Sequence, residues 1–290
     1  MSFPNSPTSA LRDAGNVDHA TVRDFGQEWR RFDQSALSAA ERDQIASDYF
    51  GVFPWAALPS NAVGFDAGCG SGRWAALVAP RVGWLHCVDA STTAIEVARR
   101  TLAGLPNVTI QEAPLDAMPI TDASMDFGYS LGVLHHLPDP AAGLSACVRK
   151  LKPGAPMLIY IYYAFDNRPA WFRLLWCASD GVRRGLSRLP FRLKSAITDT
   201  IAFAVYWPLA RAARMAERRG VDVENWPLSA YRTLSFYSMR TDALDRFGTR
   251  LEHRMTRAEI EAMMTKAGLR DIRFSDRVPY WCAVGYRAGA

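Results

Sequence analysis

Between residues 62 and 163 five short apolar runs alternate with helical patterns, and nothing else in the chain limits its fold so strongly. The runs are AVGFDAG, GWLHCVDA, NVTIQEA, MDFGYSLG and APMLIYIYY. Several are continuously apolar, as strands are when both sheet faces are covered. Helical patterns begin near Gly72, Thr92 and Pro140. Strand–helix–strand units of this length predict a parallel sheet wrapped by helices on both sides.

From residue 166 to about 240 the alternation stops and no strand pattern occurs. Asn167-Arg168-Pro169 reads as a helix start, followed by Trp171, Leu174, Leu175, Ala178 and Val182 at helical spacing. A second helical stretch, 193–219, carries Pro208 as an expected kink and meets Gly220 as its stop. We read 166–249 as a helical insertion. The alternation resumes near 256, where Thr256 and Glu259 form a capping box, Ile260, Met263 and Met264 supply an apolar face, and Gly268 ends the helix. DIRFSDRV and YWCAVGYRA then predict an antiparallel strand pair that closes the sheet.

Bulk composition excludes several classes. With 49% hydrophobic and 22% charged residues the chain reads as a soluble globular enzyme, and a net charge of +5 is too mild to imply nucleic acid. Five cysteines without a CxxC pair argue against a disulfide scaffold and against a zinc site, so no metal is expected. The opening MSFPNSPTSALRDAG has neither a basic start nor an apolar stretch, and residues 1–20 read as a flexible tail. IAFAVYWPLA is about half of a membrane span, and the expected location is cytoplasmic.

The first strand runs into VGFDAGCGSGRW, a glycine turn at the sheet edge where ligands of parallel sheets collect. A phosphate-binding loop would need GxxxxGK[ST], and the lysine is missing. A dinucleotide turn would need GxGxxG, but the third glycine comes one residue early and Arg73 holds the required place. The spacing that fits is Asp66, Gly68, Gly70 and Gly72. It resembles the first motif of class I S-adenosylmethionine-dependent methyltransferases, in particular the small-molecule enzymes of ubiquinone and menaquinone biosynthesis. The resemblance continues through CVDAS, LDAMPITDASMDFGYSLGVLHHLPD and VRKLKPGAPMLIY and covers residues 62–163. It implies a Rossmann-like, doubly wound α/β fold with a mostly parallel seven-stranded sheet and an antiparallel last strand. The methyltransferase domain would comprise 62–165 and 250–290, with the helical insertion after the fifth strand.

The resemblance also implies site roles. Asp89 would grip both ribose hydroxyls, and Asp116 with Ala117 would lie near the adenine. Gly68, Cys69, Gly70, Ala90, Leu131 and His136 would border S-adenosylmethionine, with S-adenosylhomocysteine as product. Asp66 either orients the loop, by itself or as a buried acid tying it down, or reaches the methionine ammonium through water. The place after the fourth strand holds Ser130, Leu131 and Gly132, with neither Pro-Pro nor cysteine. That points to a small-molecule acceptor rather than DNA or RNA. His135, at the same strand exit, is the candidate base, with a structural histidine as the alternative reading; Tyr160, Tyr162 and Tyr163 are further candidates for the acceptor pocket.

Residues 21–61 are expected to form a helical lid, with Phe25, Trp29 and Phe32 on one face and Trp29 against the cofactor. Residues 168–219 hold ten Arg and one Lys against two Asp and one Glu. This basic segment suits an anionic acceptor, an acidic carrier protein or the surface of an anionic lipid bilayer, or it is simply a solvated face. The expected reaction is methyl transfer to oxygen or nitrogen by in-line displacement. The alternatives are a non-catalytic regulator that binds S-adenosylmethionine and an NAD-dependent oxidoreductase. No oligomeric state follows from the sequence.

Overall fold

The computed structural model describes residues 15–289; most of the expected tail lies outside them. Five strands alternate with helices as the apolar runs predict: β1 (Val63–Ala67), β2 (Trp84–Asp89), β3 (Val108–Glu112), β4 (Phe127–Leu131) and β5 (Pro156–Tyr160). β6 (Leu269–Phe274) and β7 (Cys282–Arg287) complete a seven-stranded sheet in the order β3-β2-β1-β4-β5-β7-β6. β1 to β5 pair in parallel, and β7 runs antiparallel to both β5 and β6. Strand order therefore reverses between β1 and β4, which opens a crevice at their carboxyl ends.

Ahead of the sheet come α1 (His19–Arg31) and α2 (Ala39–Phe50); within it lie α3 (Ala75–Val78), α4 (Thr92–Thr101) and α5 (Pro140–Lys150). α4 and α5 start where expected, capped by Ser91 and Asp139. α3 starts at Ala75, three residues beyond the expected Gly72, because Gly72 at φ +78° belongs to the turn. β1, β4 and β5 are buried almost end to end. One core joins Phe65, Met157 and Ile159 to α5 and to α10 (Arg257–Lys266); the other joins Phe127, Tyr129 and Leu158 to α2, α3 and α4.

The insertion is built of four helices, α6 (Ala170–Leu186), α7 (Phe191–Ile201), α8 (Trp207–Glu217) and α9 (Phe236–Gly248), with a mostly irregular stretch, 218–235, between the last two. Its ends are zipped together, since Ala164 donates to the Met255 carbonyl and Met255 to that of Tyr162. α6 follows the expected start at Asn167-Arg168-Pro169, with Pro169 at its N-cap and no side-chain cap. Pro208 does not break its helix. α7 runs on without a break through a π-helical turn, Ala202–Tyr206, into α8, and that turn just before Pro208 accommodates its missing N–H. A third core of Leu186, Tyr206, Met239 and Phe247 holds these helices together. Among the described residues no helix is long and apolar enough to cross a membrane.

Candidate functional site

The glycine turn leaves β1 at the crevice. Gly68 and Cys69 donate to the Val88 carbonyl at 2.8 and 3.0 Å, binding the turn to the end of β2. Gly68 and Gly70 have φ of +83° and +53°, a region that penalises any side chain. A Cβ at Gly68 would stand 2.4 Å from Val133, and one at Gly70 would stand 2.9 Å from the Trp29 ring. Bare backbone is thus required on geometric grounds, and Trp29 of α1 lies directly over it.

Asp89 ends β2 beside this turn. Its carboxylate accepts from Gly70 N at 2.9 Å and from Ser91 N at 2.8 Å. Burial raises its pKa, while those two N–H groups pull it down. The cap of α4 is Ser91, so Asp89 is free of that duty, and each oxygen keeps a lone pair for another donor.

A cavity of about 190 Å³ occupies this crevice. Trp29, Gly68, Cys69, Gly70, Asp89, Ala90, Leu131 and His136 all line it. Four expected site residues do not. Asp116 and Ala117 are exposed on a short turn after β3, and Asp116 accepts from Asn16 N at 3.0 Å instead; Pro114 and Leu115 face the cavity in their place. Asp66 lies one layer beneath the wall, fully buried with neither oxygen hydrogen-bonded. Desolvation lifts its pKa to about 8, the nearby Tyr129 hydroxyl drawing it partway back. It therefore does not tie the loop down.

His135 is the fourth. It is fully buried, neither ring nitrogen has a partner, and burial holds its pKa well below the usual value. The next residue, His136, takes the position facing the cavity. Its Nδ1 lies 2.7 Å from the Leu251 carbonyl, which can only accept, so Nδ1 carries the proton and Nε2 is a free acceptor. Nε2 has no hydrogen-bond partner and stands 4.0 Å from Asp245 Oδ1. Burial depresses the His136 pKa, which keeps the ring neutral near pH 7. Phe25 of α1 covers this imidazole at 4.7 Å between ring centroids. Tyr162 donates its hydroxyl to Asp245, so Tyr162, Asp245 and His136 form one polar group at the β4 exit.

The remaining wall was not apparent in the sequence. Glu28 and Arg73 reach the cavity from α1 and the turn, and Thr241, Asp242 and Asp245 from α9. The only hint was the spacing of Asp242 and Asp245, three apart, which places both carboxylates on one helix face. Burial followed by repulsion from Asp245 and Asp242 raises Glu28 well above the ordinary range, and burial with Asp245 lifts Asp242 to about 6. The insertion therefore meets the cavity with acids rather than with its arginines. Among the described residues no group of three or more His, Cys, Asp or Glu is arranged to hold a metal ion.

Known proteins match the strand-and-helix part of the chain that carries the turn. Residues 65–159 match the family model described as a methyltransferase domain. The ubiquinone biosynthesis O-methyltransferase of Paracidovorax citrulli is 32% identical over 128 residues, which span 43% of this chain and 51% of that protein. The enzyme of the same name from Hahella chejuensis is 26% identical over 213 residues, 71% of this chain and 85% of its own. A solved SAM-dependent methyltransferase from Aquifex aeolicus superposes with a TM-score of 0.45 at 14% identity, covering 86% of this chain and 97% of the other.

Proposed function

From the premise that this chain carries a class I S-adenosylmethionine-dependent methyltransferase domain, with S-adenosylmethionine as its cofactor, we propose that it methylates an oxygen or nitrogen of a small molecule. The turn fits that cofactor. Gly68 and Gly70 leave a cradle that a Cβ would fill, and Asp89 keeps acceptor capacity for a cis-diol. Bound there, the cofactor supplies an activated methyl on a sulfonium. What the chain adds is alignment of acceptor and methyl, exclusion of water, and a place for the acceptor's proton.

One observation carries the reading: the unpartnered Nε2 of His136, held in the accepting tautomer by Leu251, at the mouth of β4. Asp245 and Tyr162 fix its surroundings, and Phe25 shields it. Such a group is idle in a protein that only binds the cofactor, and it serves as a proton acceptor in one that turns over. Calorimetry with S-adenosylmethionine, S-adenosylhomocysteine and NAD tests the donor; binding of NAD alone would refute the proposal. Screening a metabolite extract for methyl transfer then supplies an acceptor. With it, His136→Asn is expected to lower turnover about 100-fold or more while S-adenosylhomocysteine affinity changes little. Equal turnover in the variant removes the base.

A further inference from the structure

The part of the cavity wall supplied by α1 and α9 is acidic. Glu28 comes from α1, and Asp242 and Asp245 come from one face of α9. Arg73 is the sole Arg or Lys among the cavity's described lining. It makes no ion pair within 4 Å there and leans instead over the Trp29 and Trp74 rings, at 5.3 and 4.6 Å. Three carboxyl groups gathered in a partly dry pocket repel one another; Tyr162 and Thr249 donate to Asp245, and Arg73 draws Glu28 and Asp242 partway back, but no Lys or Arg of the described residues ion-pairs with any of the three.

A second observation points to a ligand in the same place. His136, only 6% exposed, turns its unpartnered Nε2 toward Asp245 on this wall. A third is the aromatic lining of Phe25 and Tyr49, rings that attract a cation; Tyr162 also lines the cavity, but Arg254 already stands over its ring at 5.0 Å. Asp242, with Tyr49, Arg73 and Thr241, also borders a second, open cleft of about 1050 Å³, which gives a long acceptor a way in.

Resting on the methyltransferase reading, we propose that the acceptor is a primary or secondary amine, seated as its ammonium among Glu28, Asp242 and Asp245. This departs from the anionic acceptor suggested by the basic insertion. In the reaction the ammonium gives one proton to His136 Nε2. The freed nitrogen lone pair forms the bond to the methyl carbon as the methyl–sulfur bond breaks, and that bond's electron pair stays on sulfur. The products are an N-methylated ammonium and a neutral thioether, and the imidazolium then returns its proton to water.

Matched probes test this. Protein saturated with S-adenosylhomocysteine is titrated with benzylamine, benzyl alcohol and benzoate. Benzylamine should bind about tenfold tighter than either of the others, and Glu28→Gln and Asp242→Asn should each weaken it severalfold with S-adenosylhomocysteine affinity unchanged. Should Glu28→Gln fail to fold, Asp242→Asn, at a less buried residue, carries the comparison. Benzylamine binding no tighter than benzyl alcohol, or a preference for benzoate, overturns the proposal. So does an Asp242→Asn protein that loses affinity for S-adenosylmethionine relative to S-adenosylhomocysteine yet binds benzylamine as before, since the acids would then serve the sulfonium. Loss of S-adenosylhomocysteine binding by the unaltered protein would instead strike the methyltransferase reading itself.

Discussion

Asp66 shows how a single residue of the glycine motif can act on the whole molecule without touching a ligand. Its carboxyl is fully buried, unbonded and shifted to about 8. In the unfolded chain it loses its proton near pH 4, whereas in the folded chain it keeps it until about 8. Between those values the folded state holds the extra proton, so this group's contribution is full at low pH and is lost as pH rises toward 8. The buried histidines act oppositely, costing stability only below about pH 6.5. Measured from pH 6.5 to 8 without ligand, unfolding free energy should fall by up to about 1.4 kcal/mol per pH unit on account of Asp66. Asp66→Asn should flatten that slope, and identical slopes in the two proteins would refute the burial account. The glycine spacing and Asp89 were readable at this scale because their chemistry depends on position along the chain. The choice between His135 and His136 was not, since a three-residue 3-10 turn, Leu134–His136, decides which imidazole faces the cavity.

Among the elements, α1 has the widest reach. Phe25 meets His136, Trp29 covers Gly70, and Phe32 packs on Tyr237 of α9 at 5.4 Å. Its aromatic periodicity was visible in the sequence; its dependence on Gly26 was not. A Cβ at Gly26 would lie 2.6 Å from Ser91 Oγ and 3.0 Å from Thr93 Cβ, so a glycine there lets α1 rest on the start of α4. Trp29→Ala should weaken S-adenosylhomocysteine binding about tenfold, ~1.4 kcal/mol, by uncovering the turn. Gly26→Val should do the same without removing any cavity-lining group, by lifting the helix. Calorimetry on both variants separates the ideas: if only Trp29→Ala matters, the ring contact counts and the helix position does not. α9 escaped the sequence reading for a physical reason. Its acids gain meaning only when α1 and β4 are brought opposite them, and no local period records that.

For the whole molecule, the charge of the insertion divides into two populations that composition could not separate. Lys194 is buried against Asp24 at 2.8 Å, Arg183 is buried between Asp180 and the carbonyls of Thr249 and Arg250, and Arg31 of α1 reaches Ser195 and Asp199. These groups fasten the insertion to α1 and to the chain's return toward α10. Arg173, Arg188 and Arg192 stay exposed. The stripe that helical spacing picked out on α6 does not pack inward either: Trp171, Leu174, Leu175 and Val182 are 50, 71, 51 and 56% exposed. An exposed apolar stripe together with exposed arginines suits the surface of an anionic bilayer, each arginine contributing about 1 kcal/mol near it. The prediction is that phosphatidylglycerol-containing vesicles bind the protein, shift its tryptophan emission to the blue, and release it as salt rises. Vesicles of phosphatidylcholine alone should bind far less. Reversing Arg173, Arg188 and Arg192 to Glu should weaken binding roughly 100-fold or more by the same arithmetic. Unchanged vesicle binding by that triple variant would remove the bilayer as the partner, and capture of an acidic carrier protein without vesicle binding would assign the face to that carrier. Arg183 is the wrong residue for this test, because its charge belongs to the fold's interior and its loss would loosen the insertion before any surface contact was probed.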